Sequence, residues 1–335
     1  MRCTEKLTAR QAELVAPKRI LLATDLTDGD FLIPHAVAQA RASGAAVTVL
    51  HAILPSETLP LDAHGGMGCA GSVSGWMGSE EETRLRLEAM CAEIESAGVK
   101  CDSVARHGLP ADVLQDEIEK GNATRLIMAS HGRGKWGQLL MGSVANQLLG
   151  RIQIPAFVVG PKSAGCPQHE TLRKILHPVS LNGNYRQGIH LALALASTLH
   201  AELTLLHVVD RDIESSIPRG GAQNWAENLF STSISERIGG VAEVEVQVAF
   251  GNVVDEIRQE AAHICADWIV LGIDDGYPLW PLQGSFAYKV MAVASCPVLA
   301  IPSVSMQTET AAAEERQGVF HRAAGLHGTT SVATT

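Results

Sequence analysis

Short runs of aliphatic and β-branched residues alternate along this chain with stretches in which apolar residues recur every three or four positions. In the first half the runs fall at 19–24, 46–53, 99–107, 124–130 and 156–160. Such runs, bounded by turn-forming residues, read as strands. The spacing between them predicts helices near 29–43, 79–97, 110–120 and 142–149, and the same order is predicted again from Lys174 to about Pro302. Strand alternating with helix implies parallel sheets covered on both faces and joined by right-handed crossovers. The expected fold class is α/β, with two tandem, doubly wound, five-stranded parallel sheets.

The second half repeats the first. Ile20-Leu21-Leu22 answers to Ile175-Leu176-His177, an offset of 155 (175 minus 20), and His51 answers to His207, an offset of 156 (207 minus 51). Gly108 answers to Gly251 (251 minus 108 is 143), and Gly142-Ser143 and Pro155 answer to Gly284-Ser285 and Pro297 (284 minus 142 is 142). Ordered signatures repeated at a near-constant offset mark a duplicated unit. The offset shrinks between His51 and Gly108, so the first half carries about 13 extra residues there (156 minus 143). The stretch His64-Gly-Gly-Met-Gly-Cys-Ala-Gly-Ser-Val-Ser-Gly-Trp-Met-Gly78 supplies them, and a mobile surface loop is expected of it rather than a lid. The expected units are 16–162 and 171–303, with a linker near 161–170 and a disordered tail at 304–335.

Composition narrows the functional classes. The chain has 335 residues, 46% hydrophobic and 19% charged, which suits two packed domains. A formal net charge of −10 disfavours nucleic acid and anionic membrane surfaces as partners. The charged N-terminal stretch does not read as a secretory signal and no apolar run is long enough to span a bilayer, so a cytoplasmic location is expected. Seven scattered cysteines without a Cys-x-x-Cys pair fit reduced thiols and are assigned no chemistry.

In an open parallel sheet, ligands bind beyond the carboxyl ends of the strands. Thr24-Asp25 follows the first strand. Ala129-Ser130-His131-Gly132-Arg133-Gly134 follows the fourth and leads to Gly142-Ser143-Val144 at a helix start. Glycines admit close backbone approach, and helix-start amides with a serine hydroxyl offer donors to anions. This is a phosphate cradle in outline.

The pattern Ala129-x2-Gly132-x9-Gly142-Ser143 resembles the nucleotide motif of the universal stress proteins, Gly-x2-Gly-x9-Gly-Ser/Thr. Asp25 after the first strand, His51 in the second, Gly108-Leu109-Pro110 after the third and Pro155-Ala156-Phe157-Val158-Val159 at the fifth support the resemblance in both halves. It implies an adenine nucleotide alpha hydrolase-like fold that binds ATP, with Mg²⁺, in the first half only. By the same resemblance Thr24, Asp25 and Ala52 lie around the adenine. Ala129, His131 and Gly132 lie near ribose and phosphates, with Gly134 in the same loop, and Gly142, Ser143 and Val144 hold phosphates. It further implies a cytoplasmic regulatory or stress-response protein acting through nucleotide-dependent conformation and protein partners, pairing of the two fifth strands within one chain, and a homodimer.

The second half departs from the motif. In sequence register Ala129 becomes Leu271, Gly132 becomes Asp274 beside Asp275, and Asp25 becomes Ser180, leaving Gly276, Gly284 and Ser285. A carboxylate about 4 Å from a phosphate costs on the order of 4 kcal/mol at an effective dielectric near 20. The second half therefore reads as a degenerate partner domain. Gly132-x-Gly134-x-x-Gly137 spells a dinucleotide fingerprint, but it follows the fourth strand and no acidic residue lies about 20 positions on. His51 and His207 are read as packed histidines bonded to a neighbouring loop, Asp25 as a loop-bonding or binding carboxylate rather than a general base. Cys166 with His169 and His64 with Cys69 do not make metal-ligand sets. Arg133 and Lys135 suit phosphate pairing and a solvated rim equally. No activated nucleophile or paired acid and base is evident, so no enzyme is expected beyond slow ATP hydrolysis. The alternatives are a nucleotide-free tandem scaffold and, less favoured, an adenylating type of enzyme.

Overall fold

The computed structural model describes residues 9–54, 80–121, 123–130, 142–160, 162–163, 174–180, 185–209, 219–235, 243–273 and 286–302. The Gly-rich insertion at 64–79, the tail at 304–335 and the linker except Lys162 and Ser163 lie outside them. The first half contains α1 (Ala9–Val15), β1 (Arg19–Ala23), α2 (Gly29–Ser43), β2 (Ala46–Ile53), α3 (Glu80–Ser96), β3 (Cys101–His107), α4 (Pro110–Glu119), β4 (Arg125–Ala129), α5 (Ser143–Leu149) and β5 (Ala156–Val159). The second contains β6 (Lys174–Pro178), α6 (Tyr185–Leu199), β7 (Glu202–Val209), α7 (Arg219–Ser235), β8 (Val244–Phe250), α8 (Val253–His263), β9 (Trp268–Ile273), α9 (Phe286–Val293) and β10 (Val298–Pro302).

Local chemistry sets several of these boundaries. Proline opens α4, where its missing N–H is of no consequence. Asn252 caps α8 by accepting from the amides of Val254 and Asp255 at 3.1 and 3.3 Å. Gly44 ends α2 in the left-handed conformation at φ 72°, which suits a residue without Cβ.

The strands form one sheet in the order β3-β2-β1-β4-β5-β10-β9-β6-β7-β8. Each half is parallel and doubly wound, and the halves meet where β5 and β10 pair antiparallel, Val298 opposite Val158 and Ala300 opposite Ala156. Two hydrophobic edges thus cover each other, as the family resemblance implied. The outer edge strand β3, with Asp102, Ser103, Arg106 and His107, is polar and largely exposed, the composition that discourages further strand addition. Alternate strand residues feed opposite faces. Ile20 and Leu22 join a core with α1, α2, α3, α6 and α7, whereas Leu21 and Ala23 join a core with α4, α5, α8 and α9. Both cores run through both halves. At the seam the Phe157 ring sits 5.3 Å from His35 and 5.0 Å, edge on, from Trp268. Burial pushes His35 down to about 4, so it is neutral there at ordinary pH.

Helix α1 is not anticipated by the chain's pattern, which places the first unit's start at residue 16. Leu14 and Val15 are nevertheless buried in the core shared with α2, and α1 packs on α6 of the second half. The carbonyl of Leu14 also accepts from the fully buried guanidinium of Arg125, whose Nη1 donates to Gln39 Oε1 at 2.9 Å. Burial holds Arg125 down to about 10, still charged, so these neutral acceptors solvate a buried cation.

Strand pairing also corrects the register of the repeat. Ile20 faces Arg125, and its counterpart Ile175 faces Trp268. On the other side Ala129 faces Val159, and Gly272 faces Ile301, the counterpart of Val159. Ala129 therefore answers to Gly272, not to Leu271. The offset of 142 read from Gly142-Ser143 does not extend back through β9, so one residue fewer separates β9 from Gly284. A one-residue slip would carry Leu271 from the core it shares with α8 and α9 to the opposite face, which the packing forbids.

Candidate functional site

At the carboxyl ends of the first half's strands the backbone extends the strands by one bond each. The Thr24 amide donates to the Leu50 carbonyl at 3.0 Å, the Ser130 amide to Val159 at 2.9 Å, and the Gly142 amide to Ser130 at 2.7 Å. The last of these brings the start of α5 against the end of β4. Thr24, Asp25, Ala52, Ala129, Gly142, Ser143 and Val144 thus meet at one end of the sheet, and the first amides of α5 have no partner within the helix. His131, Gly132 and Gly134 lie outside the described residues, as do Arg133, Lys135 and Gly137 and, in the second half, Asp274, Asp275, Gly276, Gly284 and Ser285.

The loop after β1 is held by its own polar groups. Thr24 Oγ1 donates to Asp28 Oδ1 and accepts from the Leu26 amide at 2.9 Å, while Asp28 Oδ2 accepts from the Asp25 amide at 3.4 Å. Leu26 takes a positive φ of 69°, uncommon for a residue with a branched side chain, so this network fixes a turn the chain would not favour alone. Asp25 Oδ1 accepts from both the amide and hydroxyl of Thr27, at 2.8 and 2.6 Å, which makes Asp25 a loop-shaping carboxylate. The Met90 sulfur of α3 lies 3.9 Å from Thr24 Oγ1 and backs the loop. Asp28 is 5% exposed, and desolvation raises its carboxyl to about 6 despite the lowering by the Thr24 bond.

Asp28 is absent from the residues singled out by sequence. Its only sequence signal is its place just before a helix, where aspartate ordinarily caps; here its side chain makes no capping bond to the helix and turns back to Thr24. His51 Nδ1 bonds the Thr24 carbonyl at 2.9 Å, and His207 Nδ1 bonds the Val179 carbonyl at 3.1 Å. Both histidines are packing groups that tie the second strand to the loop after the first.

The second half repeats this backbone frame with different side chains. Val179 donates its amide to Leu206 at 2.8 Å just as Thr24 does to Leu50, but it is an apolar, buried residue. Ser180 stands in the place of Asp25, and Val208 in that of Ala52. The Thr24 hydroxyl and the Asp25 carboxylate thus have no counterparts at Val179 and Ser180, while glycine is kept at the first motif position as Gly272.

A duplicated, doubly wound α/β chain with loops gathered at the carboxyl ends of its strands is the class that this fold and site define. Comparison with known proteins goes a step further. The model of the Universal stress protein family matches residues 17–160 and 171–302, and the chain belongs to that family. A universal stress protein of Methanocaldococcus jannaschii is 26% identical over 157 residues, 44% of this chain and 97% of that protein. A universal stress protein of Archaeoglobus fulgidus shares the fold over 85% of this chain and 98% of its own, with a TM-score of 0.59 and 19% identity. A protein of unknown function from Pseudomonas aeruginosa does so over 91% and 99%, with a TM-score of 0.61 and 16% identity.

Proposed function

We propose that this protein is a regulatory ATP-binding universal stress protein whose first half, within 16–162, takes the nucleotide with Mg²⁺, while the second, within 171–303, is a partner domain that has lost it. The observation that carries this reading is the asymmetry of the loop after the first strand. Thr24, Asp25 and Asp28 make a hydrogen-bonded polar turn in one half, whereas the positions of Thr24 and Asp25 are taken in the other by the buried, apolar Val179 and by Ser180, which has no carboxylate. A purine ring edge needs donors and acceptors held in place, and the first turn supplies them already bonded into one conformation. Gly142, held to the Ser130 carbonyl, places the open amides of α5 toward the same end of the sheet, where phosphates are favoured. Thr24, Asp25 and Ala52 are assigned to the adenine, Ala129, His131, Gly132 and Gly134 to ribose and phosphates, and Gly142, Ser143 and Val144 to the phosphates. Among the described residues no helix is long and apolar enough to cross a membrane. The expected setting is the cytoplasm, in a homodimer that signals through nucleotide-dependent partner binding with at most slow hydrolysis.

One observation favours a second reading, a tandem scaffold without nucleotide. The first half carries the Ala129 methyl where the second has Gly272, so the more polar half is the one with less room at the first motif position. Calorimetric titration of the whole chain with ATP and Mg²⁺ separates the two. The proposal requires one site per chain, weakened by more than about tenfold, roughly 1.4 kcal/mol, in Gly142→Val, whose circular dichroism stays that of the parent. Gly142 sits at φ −61° and ψ 155°, a backbone conformation valine adopts without strain, and the circular dichroism checks that the fold is kept. Absence of binding heat in the parent, or undiminished affinity in the variant, overturns it.

A further inference from the structure

We propose that Cys91 and Cys101 form a reversible intrachain disulfide in response to hydroperoxide, making the α3–β3 corner a thiol modification site. Their sulfurs stand 2.7 Å apart, Cys91 buried on α3 and Cys101 half-exposed at the start of the open edge strand β3. That is roughly 0.7 Å beyond the S–S bond length of about 2.0 Å, so bond formation asks for little backbone movement. The hydrogen bond the two thiols share holds Cys91 below the usual thiol range and, together with desolvation, pushes Cys101 up. As the more acidic of the pair, Cys91 is assigned as the nucleophile and Cys101 as the proton donor. Glu95 and Asp102 lend the corner negative charge, which disfavours anionic oxidants such as oxidised glutathione and leaves a small neutral peroxide as the matching one.

The step balances. The Cys91 thiolate attacks one peroxide oxygen, the O–O bond breaks, and the departing hydroxide takes the Cys101 proton to leave as water. Cys101 sulfur then attacks the Cys91 sulfenic acid, the S–S bond forms and the S–O bond breaks. The second hydroxide leaves as water with the proton Cys91 had given to solvent. Two thiols lose two electrons and two protons, and one hydrogen peroxide becomes two waters. The bridge ties α3 to β3 one residue beyond Met90, the residue that backs Thr24, and its formation does not depend on whether nucleotide binds.

The full-length reduced protein is treated with hydrogen peroxide, alkylated, and mapped by mass spectrometry without reduction. Lys100 separates the two cysteines, so trypsin leaves peptides 87–100 and 101–106 joined only through the bridge. The expected result is this cross-linked pair, lighter by two hydrogens than the sum of its parts, lost on adding dithiothreitol and absent in Cys101→Ser, which instead accumulates sulfenic or sulfinic acid at Cys91. Retention of both thiols at a peroxide dose that oxidises the other cysteines, or pairing of either one with another chain, overturns the proposal.

Discussion

Replacing Asp28 with asparagine keeps the size of the side chain and removes its ionisation, which isolates the energetics of the loop after β1. In the folded protein the carboxyl is raised from 3.8 to about 6 by desolvation. The folded state therefore binds a proton that the unfolded state has already released, and the sign follows. The contribution is fully present below pH 3.8 and is lost as pH rises through about 6. The rise from 3.8 to about 6 corresponds to about 3 kcal/mol, of which about 1.4 kcal/mol falls between pH 5 and 7.5. Asparagine accepts from Thr24 through its Oδ1 but places an NH₂ opposite the Asp25 amide, where Asp28 accepts at 3.4 Å. That mismatch lowers stability by about 1 kcal/mol at every pH. Urea unfolding of parent and Asp28→Asn at pH 5 and 7.5 reads the difference directly. The variant is expected to gain about 1.4 kcal/mol relative to the parent on going to the higher pH. A difference that stays constant, or that moves the other way, would show that the Thr24 bond outweighs desolvation and that Asp28 is an ordinary ionised loop carboxylate.

Phe157→Ala removes the ring wedged between His35 and Trp268 at the seam and is expected to lower unfolding stability by about 3–5 kcal/mol, measured by denaturant titration. A loss under about 1 kcal/mol would mean that the seam repacks and that backbone pairing alone holds the halves together. Gly108→Ala at φ 147° sets a Cβ 2.7 Å from Val113 Cγ2, so a loss of more than about 1 kcal/mol is expected by the same method, with α4 the first element to lose amide protection.

The duplicated order of strands and helices and the doubly wound class were legible in the sequence, because they rest on hydrophobic periodicity and repeated short signatures, which local chain chemistry writes residue by residue. The meeting of the fifth strands was implied only by the family resemblance; periodicity alone does not say which strand edges pair. The residues gathered at the carboxyl ends of the strands were legible for the same reason, since the topology alone places Thr24, Ala129 and Gly142 there. What the sequence could not hold is whatever depends on partners far apart in the chain. Seven residues of α1 are too few to signal themselves, and Leu14 matters because Arg125, more than a hundred positions on, needs its carbonyl. Whether Ala129 answers to Leu271 or Gly272 turns on a one-residue gap that only the pairing of β9 with β6 and β10 fixes. Asp28 reads as a routine helix cap until burial turns it toward Thr24, and Cys91 and Cys101 read as scattered thiols until α3 folds back on β3. Periodicity tells a segment which face to bury; only the packed structure decides which polar groups are carried in with it.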